Sequence, residues 1–242
     1  MNLCIDIGNS RIKAGFFNNS ELVGVEIVHS KLSPSIISDW VSQYKVQHII
    51  LSTVRNLSDI DIKILSSSFD ITIADKNIPT PFKISYLTPS TLGVDRILGA
   101  IGAQCLFPNE DTLSIDAGTC ITYDIVENNT FLGGAISPGI QMRLNALHHF
   151  TDKLPELEFS DKLVTFGDST SSCMYMGAEQ GVIHEFNGFL SQFLERFPKL
   201  KVLLTGGDST FFERHAENAI FAAPNLVLLG LNSTLLETKQ IK

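Results

Sequence analysis

The chain is short of charge, and shorter still of positive charge. Charged residues are 18% of its 242, and 18 Lys and Arg face 26 Asp and Glu, for a formal net charge of −8. A general nucleic-acid binder needs a basic footprint, so no nucleic-acid partner is expected, although a local basic pocket for an anionic ligand remains open. No apolar run approaches the roughly 18–20 residues of a membrane helix, so no membrane partner is expected either. The four cysteines, Cys4, Cys105, Cys120 and Cys173, lie far apart with no Cys-x-x-Cys pair, which suits neither a zinc site nor a dense disulfide framework. The opening Met1–Asp6 has no basic stretch leading into a long apolar one, so a secretory leader is not expected and a reducing, cytoplasmic setting is. The six histidines show no metal spacing, and the adjacent His148 and His149 diverge on a helix. What is present, 44% apolar residues with 17 glycines, suffices for a buried core.

Apolar runs and turn residues outline an α/β chain. Leu3–Ile7, Ile12–Phe17 and Leu22–Val28 read as three strands joined by Gly8-Asn9 and Asn18-Asn19 turns, an antiparallel meander. Ser33-Pro34 starts a helix to about Tyr44, His48–Ser52 reads as a buried strand, 58–67 as a helix and Ile71–Ile73 as a strand. Residues 76–92, with three prolines, read as a partly extended connection before a helix over 93–107. Then the opening returns. Leu113-Ser114-Ile115-Asp116-Ala117-Gly118-Thr119 parallels Leu3-Cys4-Ile5-Asp6-Ile7-Gly8-Asn9, with Asp116 standing 110 residues after Asp6. Strands over Ile121–Val126 and Phe131–Ile136 follow, with Asn128-Asn129 between them, and then a helix over 139–150. Residues 151–168 are irregular, 170–197 fit one long helix interrupted near Gly188, Val202–Leu204 is a strand ending in Thr205-Gly206-Gly207, and 208–217 look helical. Leu226–Leu229 reads as a last strand before a terminal helix. An internal repeat outweighs local propensity in deciding a fold. The expectation is two similar lobes, 1–110 and 111–242, with a ligand cleft between them.

Each repeat ends a buried strand with Asp-x-Gly followed by small polar residues. One such turn alone reads as an ordinary hairpin turn; two at matching positions favour a ligand role. Gly allows close backbone approach and hydroxyls add donors, which together cradle phosphate oxygens. Lys13 could return over the first turn to a phosphate, and the aspartates could face Mg²⁺ or its water shell. No Gly-x-x-x-x-Gly-Lys-Ser/Thr loop is present, so this is not a Walker site.

The paired turns, with Thr205-Gly206-Gly207, resemble the superfamily of acetate kinase, sugar kinases, Hsp70 and actin. The match narrows to type III pantothenate kinases on four stretches. They are Asp6-Ile7-Gly8-Asn9-Ser10-Arg11-Ile12-Lys13, Tyr86 through Arg96, Asp116-Ala117-Gly118-Thr119 with Thr122 and Asp124, and Gly133-Gly134-Ala135-Ile136-Ser137-Pro138-Gly139. Ser10 stands where the family usually has Thr, and Cys120 where Ala is usual. The resemblance implies two ribonuclease H-like lobes and ATP-dependent phosphorylation of pantothenate, with Mg²⁺ and a monovalent cation, potassium or ammonium.

It also implies roles. Asp95 is the catalytic base; its local pattern fits equally a carboxylate at a helix N-terminus. Tyr86, Gly93, Val94, Asp95 and Arg96 form the substrate site, the Arg96 guanidinium suiting a carboxylate or an internal ion pair. The ATP phosphates fall to Asp6, Ile7, Gly8, Asn9, Ser10, Arg11, Ile12, Lys13 and Thr119, and the monovalent cation to Asp116. Thr170 is a substrate contact supplied by a neighbouring copy, so a homodimer is implied. The alternatives are a non-catalytic accessory factor for transcription on the same fold, or another small-molecule kinase.

Overall fold

The two matching stretches form matching strands. β1 (Asn2–Ile7) and β7 (Thr112–Ala117) share one burial sequence: four buried residues, a partly buried Asp6 or Asp116, and a buried last residue. Both are central strands covered on two faces, which is why their apolar residues run on rather than alternate. The computed structural model describes residues 1–29, 31–55 and 59–240. It divides into two units, one of Met1–Asn109, Asn129–Phe131 and Asn225–Lys242, the other of Glu110–Asn128 and Leu132–Pro224.

In the first unit β1 pairs antiparallel with β2 (Ile12–Asn18), which pairs antiparallel with β3 (Glu21–Val28). On its other side β1 pairs in parallel with β4 (His48–Thr53), and β4 with β5 (Ile71–Ile73), giving the order β3-β2-β1-β4-β5. The parallel crossovers carry α1 (Pro34–Tyr44) and α2 (Asp59–Ser68). α1 starts where expected: Pro34 sits in its first turn and the Ser33 hydroxyl accepts the Ile36 N–H. The expected start of α2 at residue 58 lies outside the described residues. Within 76–92, β6 (Lys83–Ile84) pairs in parallel with Thr130 and Phe131.

The second unit repeats the order. β7 pairs antiparallel with β8 (Cys120–Glu127), β9 (Thr130–Pro138) follows it, and β10 (Lys201–Thr205) lies parallel to β7 with β11 (Phe221–Ala222) beyond, so the strands run β9-β8-β7-β10-β11. Asn128 and Asn129 both adopt positive φ, 48° and 57°, in the turn between β8 and β9. Asparagine tolerates that region better than other residues with a side chain. The helices of this unit are α4 (Ile140–His149), α5 (Thr170–Tyr175), α6 (Gly181–Arg196) and α7 (Ser209–His215). The long helix expected over 170–197 runs continuously over 170–196; it widens to a π turn over Met176–Gln180 and is not interrupted at Gly188. That turn brings Glu179 inside, where its carboxylate accepts the Ser160 N–H at 2.9 Å and the Ser160 hydroxyl at 3.1 Å.

Leu226–Leu229 are not a strand; they open α8 (Leu226–Gln240). A four-residue apolar run reads alike in a buried strand and a buried helix, and length decides between them. α8 lies against α3 (Val94–Leu106) at glycine contacts. A Cβ on Gly102 would stand 2.1 Å from the Leu226 carbonyl oxygen, and one on Gly230 2.0 Å from that of Leu98. α8 is also tied to β1, with Asn2 Nδ2 donating to Asn232 Oδ1 at 2.9 Å. The last helix therefore counts with the first unit, although the expected lobe of 111–242 contained it. Among the described residues no helix is long and apolar enough to cross a membrane.

Because backbone carbonyls oppose the new methyl, Gly102→Ala and Gly230→Ala are each expected to lower stability by about 1–3 kcal/mol. Gly188→Ala, with open space at its Cβ, is expected to raise stability by up to about 1 kcal/mol through helix propensity. Urea unfolding of the three variants checks the contrast.

Candidate active site

Alternation along β1 puts Asn2, Cys4 and Asp6 on one face and Leu3, Ile5 and Ile7 on the other. The leucine face joins the core of Phe16, Ile37, Trp40 and Leu51. Asp6 ends the opposite face. Ser52 on β4 lies beside it in register and donates its hydroxyl to Asp6 Oδ1 at 3.0 Å, while Lys13 lies beside it on β2. Burial is the largest influence on the Asp6 carboxyl and raises its pKa to about 6. The Asp95 charge adds to the rise; the Ser52 bond, Lys13 and Arg11 oppose it.

Asp95 arrives from α3. The helix follows Gly93, which has no side chain to cap it, and Asp95 lies in its first turn. The carboxylate folds back so far that a Cβ on Gly93 would stand 2.4 Å from Oδ1. Burial holds Asp95 above the ordinary carboxylate pKa, against hydrogen bonds from the Arg96 and Asp95 N–H groups and the charge of Arg96. Two carboxylates thus resist ionisation within reach of each other's charge, an arrangement suited to a proton or a cation. Arg96, buried, sets its guanidinium 5.7 Å from the Tyr86 ring centroid, and Tyr86 stands edge-on to Phe131.

The two Asp-x-Gly turns are alike but not equal. In the first, the Gly8 N–H donates to the Arg11 carbonyl at 3.1 Å, and Asn9 and Ser10 are exposed. In the second, the Gly118 N–H reaches the Cys120 carbonyl at 3.0 Å, one residue sooner, so the partner of Asp116 on β8 is Thr122 where that of Asp6 on β2 is Lys13. The second turn is closed by backbone. The Gly139 N–H donates to the Thr119 carbonyl at 3.0 Å, and Gly206, at φ 103°, packs where a Cβ would stand 2.1 Å from the Ala117 carbonyl. Only glycine fits either place. Arg143 pins the same region, donating Nε to the Pro138 carbonyl at 2.9 Å and Nη2 to the Glu185 carboxylate at 2.7 and 2.8 Å.

The first unit therefore gathers the expected Asp6, Arg11, Lys13 and Asp95, and separately pairs Tyr86 with Arg96. Gly93 and Val94 open α3 beside them. The second unit holds Asp116 and Thr119 on its turn, while Thr170 lies exposed at the first residue of α5. His148 and His149 are exposed, and among the described residues no group of three potential metal ligands occurs. Sequence reasoning missed Ser52, which only the β1–β4 register places beside Asp6, and Arg55, which donates to the Gly8 and Asn9 carbonyls.

A sheet order repeated in two units, each ending its first strand in an Asp-x-Gly turn, defines the fold class of the sugar kinases and actin. Solved structures share it. A protein assigned to the Baf family of transcriptional activators, from Campylobacter jejuni, superposes with a TM-score of 0.62 at 24% identity, covering 98% of this chain and 99% of that one. A ROK hexokinase from Thermus thermophilus gives 0.52 at 14%, covering 98% and 99%. At these identities the likeness is one of fold. Sequence comparison is more specific. The family model for type III pantothenate kinase matches residues 2–192. Type III pantothenate kinases of Phocaeicola vulgatus and Cytophaga hutchinsonii are 39% and 37% identical to this chain, over 97% of it and 98% of each relative. The chain belongs to the type III pantothenate kinase family.

The Asp6 pKa gives a signed prediction. Raised from 3.8 to about 6, the group contributes stability that is fully present below 3.8 and lost as pH rises through about 6. Without nucleotide or divalent cation, Asp6→Asn is expected to unfold at higher temperature than the parent above pH 6. The gap should close as pH falls toward 4. Thermal scans across that range measure it, and a gap that widens on acidification contradicts the account.

Proposed function

We propose that this chain transfers the γ-phosphoryl group of ATP to the primary alcohol of pantothenate, the first step toward coenzyme A. The observation that carries this reading, beyond family membership, is the Asp95 carboxylate. It is folded over the N-terminus of α3, raised in pKa by burial, and followed in sequence by a buried guanidinium lying over the Tyr86 ring at 5.7 Å. Phosphoryl transfer is largely dissociative, so the alcohol proton leaves late and a carboxylate suffices as base. The raised pKa makes Asp95 a better acceptor than an exposed aspartate. Arg96 suits the carboxylate of pantothenate, and Tyr86 its apolar portion. Gly93 lets the Asp95 carboxylate lie where it does, and Val94 opens the helix that carries it.

ATP phosphates are assigned to the turn of Asp6, Ile7, Gly8, Asn9, Ser10, Arg11, Ile12 and Lys13 in the first unit, and to Thr119 in the second. Asp6 fits a role in holding Mg²⁺, because a divalent cation would relieve the repulsion between its carboxylate and Asp95. Bound there, the ion would neutralise phosphate charge. Asp116 is assigned to a monovalent cation, potassium or ammonium. Thr170 is assigned to the site of a second copy in a homodimer. Exposed apolar side chains in its unit support an interface: Ile136 at 63%, Phe150 at 81% and Phe166 at 77%. A cytoplasmic setting accords with four free cysteines.

The test compares parent and Asp95→Asn for pantothenate-dependent ADP release in Mg²⁺ and potassium. The variant is expected to lose about 10²–10⁴-fold in kcat while unfolding within a few degrees of the parent; an undiminished rate removes Asp95 from the chemistry. In sodium-only buffer the parent is expected to fall well below its potassium rate, and equal rates contradict the role of Asp116.

A further inference from the structure

Arg55 belongs to none of the stretches that carry the family resemblance, yet it grips the first Asp-x-Gly turn. β4 ends at Thr53, directly beside Ile7, and the Val54 N–H continues the ladder to the Ile7 carbonyl at 3.2 Å. The next residue is turned back by Thr53, whose hydroxyl accepts the Arg55 N–H at 3.1 Å and donates to the Arg55 carbonyl at 3.2 Å. So anchored, the guanidinium donates Nε to the Gly8 carbonyl at 2.6 Å and Nη2 to the Asn9 carbonyl at 2.7 Å. Two consecutive peptide planes are fixed by one rigid planar fork.

The consequence follows from peptide geometry. In a trans peptide the C=O and the N–H of the next residue point in opposite directions. Holding the Gly8 and Asn9 carbonyls toward Arg55 therefore turns the Asn9 and Ser10 N–H groups to the other side of the turn. The arginine also brings a full positive charge against the loop. The second unit shows that the repeat itself does not require this. At the corresponding place after β10 it has Gly206-Gly207-Asp208, and the Asp208 N–H reaches the Ala117 carbonyl at 2.9 Å. That bond is the counterpart of the Val54 N–H to Ile7 carbonyl bond; the first turn has the Arg55 fork in addition.

We propose that Arg55 is a positioning residue for ATP: it presents the Asn9 and Ser10 N–H groups of the first turn to the phosphates and adds positive potential behind them. The proposal rests on the kinase reading above for the identity of the nucleotide. It separates Arg55 from the pantothenate residues Tyr86 and Arg96, so its effect belongs to one substrate only.

The experiment measures the affinity of Mg²⁺ and the non-hydrolysable analogue AMPPNP by calorimetry, and the KM values for ATP and pantothenate, in parent, Arg55→Ala and Arg55→Lys. Arg55→Ala is expected to weaken AMPPNP and raise the KM for ATP about tenfold or more, from the loss of two charge-assisted hydrogen bonds. The KM for pantothenate should stay within roughly twofold, as for a change confined to binding of the other substrate. Arg55→Lys, a point charge without the fork, is expected to recover only part. Unchanged AMPPNP affinity, or equal rises in both KM values, overturns the proposal; full recovery by lysine overturns the role of the fork. If Arg55→Ala does not fold, parental AMPPNP affinity in Arg55→Lys does the same. A parent that releases no ADP on addition of pantothenate refutes the kinase reading instead, and AMPPNP affinity then decides the place of Arg55 alone.

Discussion

Asp6 is the penultimate residue of a strand that has neighbours on both sides and a helix across one face, a place where burial works against its charge. The chain does not relieve this by exposing the residue. It gives the carboxylate one hydroxyl from Ser52, two nearby cations in Lys13 and Arg11, and an opposing carboxylate in Asp95. The net result is a group held near pH 6, stable only at the expense of some folding free energy at neutral pH. Much of the first unit serves to keep that arrangement in place. α3 must bring Asp95 to the end of β1, Gly93 must have no Cβ, and α3 is in turn locked by α8 through Gly102 and Gly230. A helix at the far end of the sequence thus sets the position of a residue in its middle, which is a physical reason for it to pack with the first unit.

Duplication supplied two copies of one supersecondary unit, and the copies have diverged where chemistry would require it. The order of five strands is the same in both, and the first strands, β1 and β7, share one burial pattern. The turns differ by one residue, so Lys13 has Thr122 as its counterpart. The bracing differs as well: an arginine fork holds the first turn, whereas glycines at 139 and 206 close the second through backbone contact. The unit whose turn is flanked by Lys13, Arg11 and Arg55 also carries the two carboxylates, Asp6 and Asp95. This explains how a chain of net charge −8 can serve an anionic ligand. Its composition describes the whole surface, and the site depends on a few cations at fixed positions.

The features legible in the sequence were those set by local geometry. The repeated Leu-x-Ile-Asp-x-Gly runs, the Asn-Asn turns, the Ser33-Pro34 helix start and the Gly93-Val94-Asp95-Arg96 helix entry each depend on residues within a few positions of one another. What the sequence hid was set by pairing over long separations. Ser52 and Arg55 gain their places only from the parallel register of β4 on β1, and no local pattern specifies that register. Leu226–Leu229 misled because an apolar run of four has no period to read; it is the first turn of the 15-residue helix α8, packed on α3. The π turn at Met176–Gln180 was hidden because it accompanies burial of Glu179 against Ser160, a residue in the irregular stretch before the helix.

The account stands on one reaction. Incubation of the purified chain with ATP, Mg²⁺, potassium and pantothenate, followed by phosphorus NMR and mass spectrometry of the small molecules, identifies the product directly. The account predicts a phosphate monoester on the primary alcohol of pantothenate, formed in equal amount to ADP. Inorganic phosphate released at the same rate with and without pantothenate, and no phosphorylated pantothenate, would contradict it.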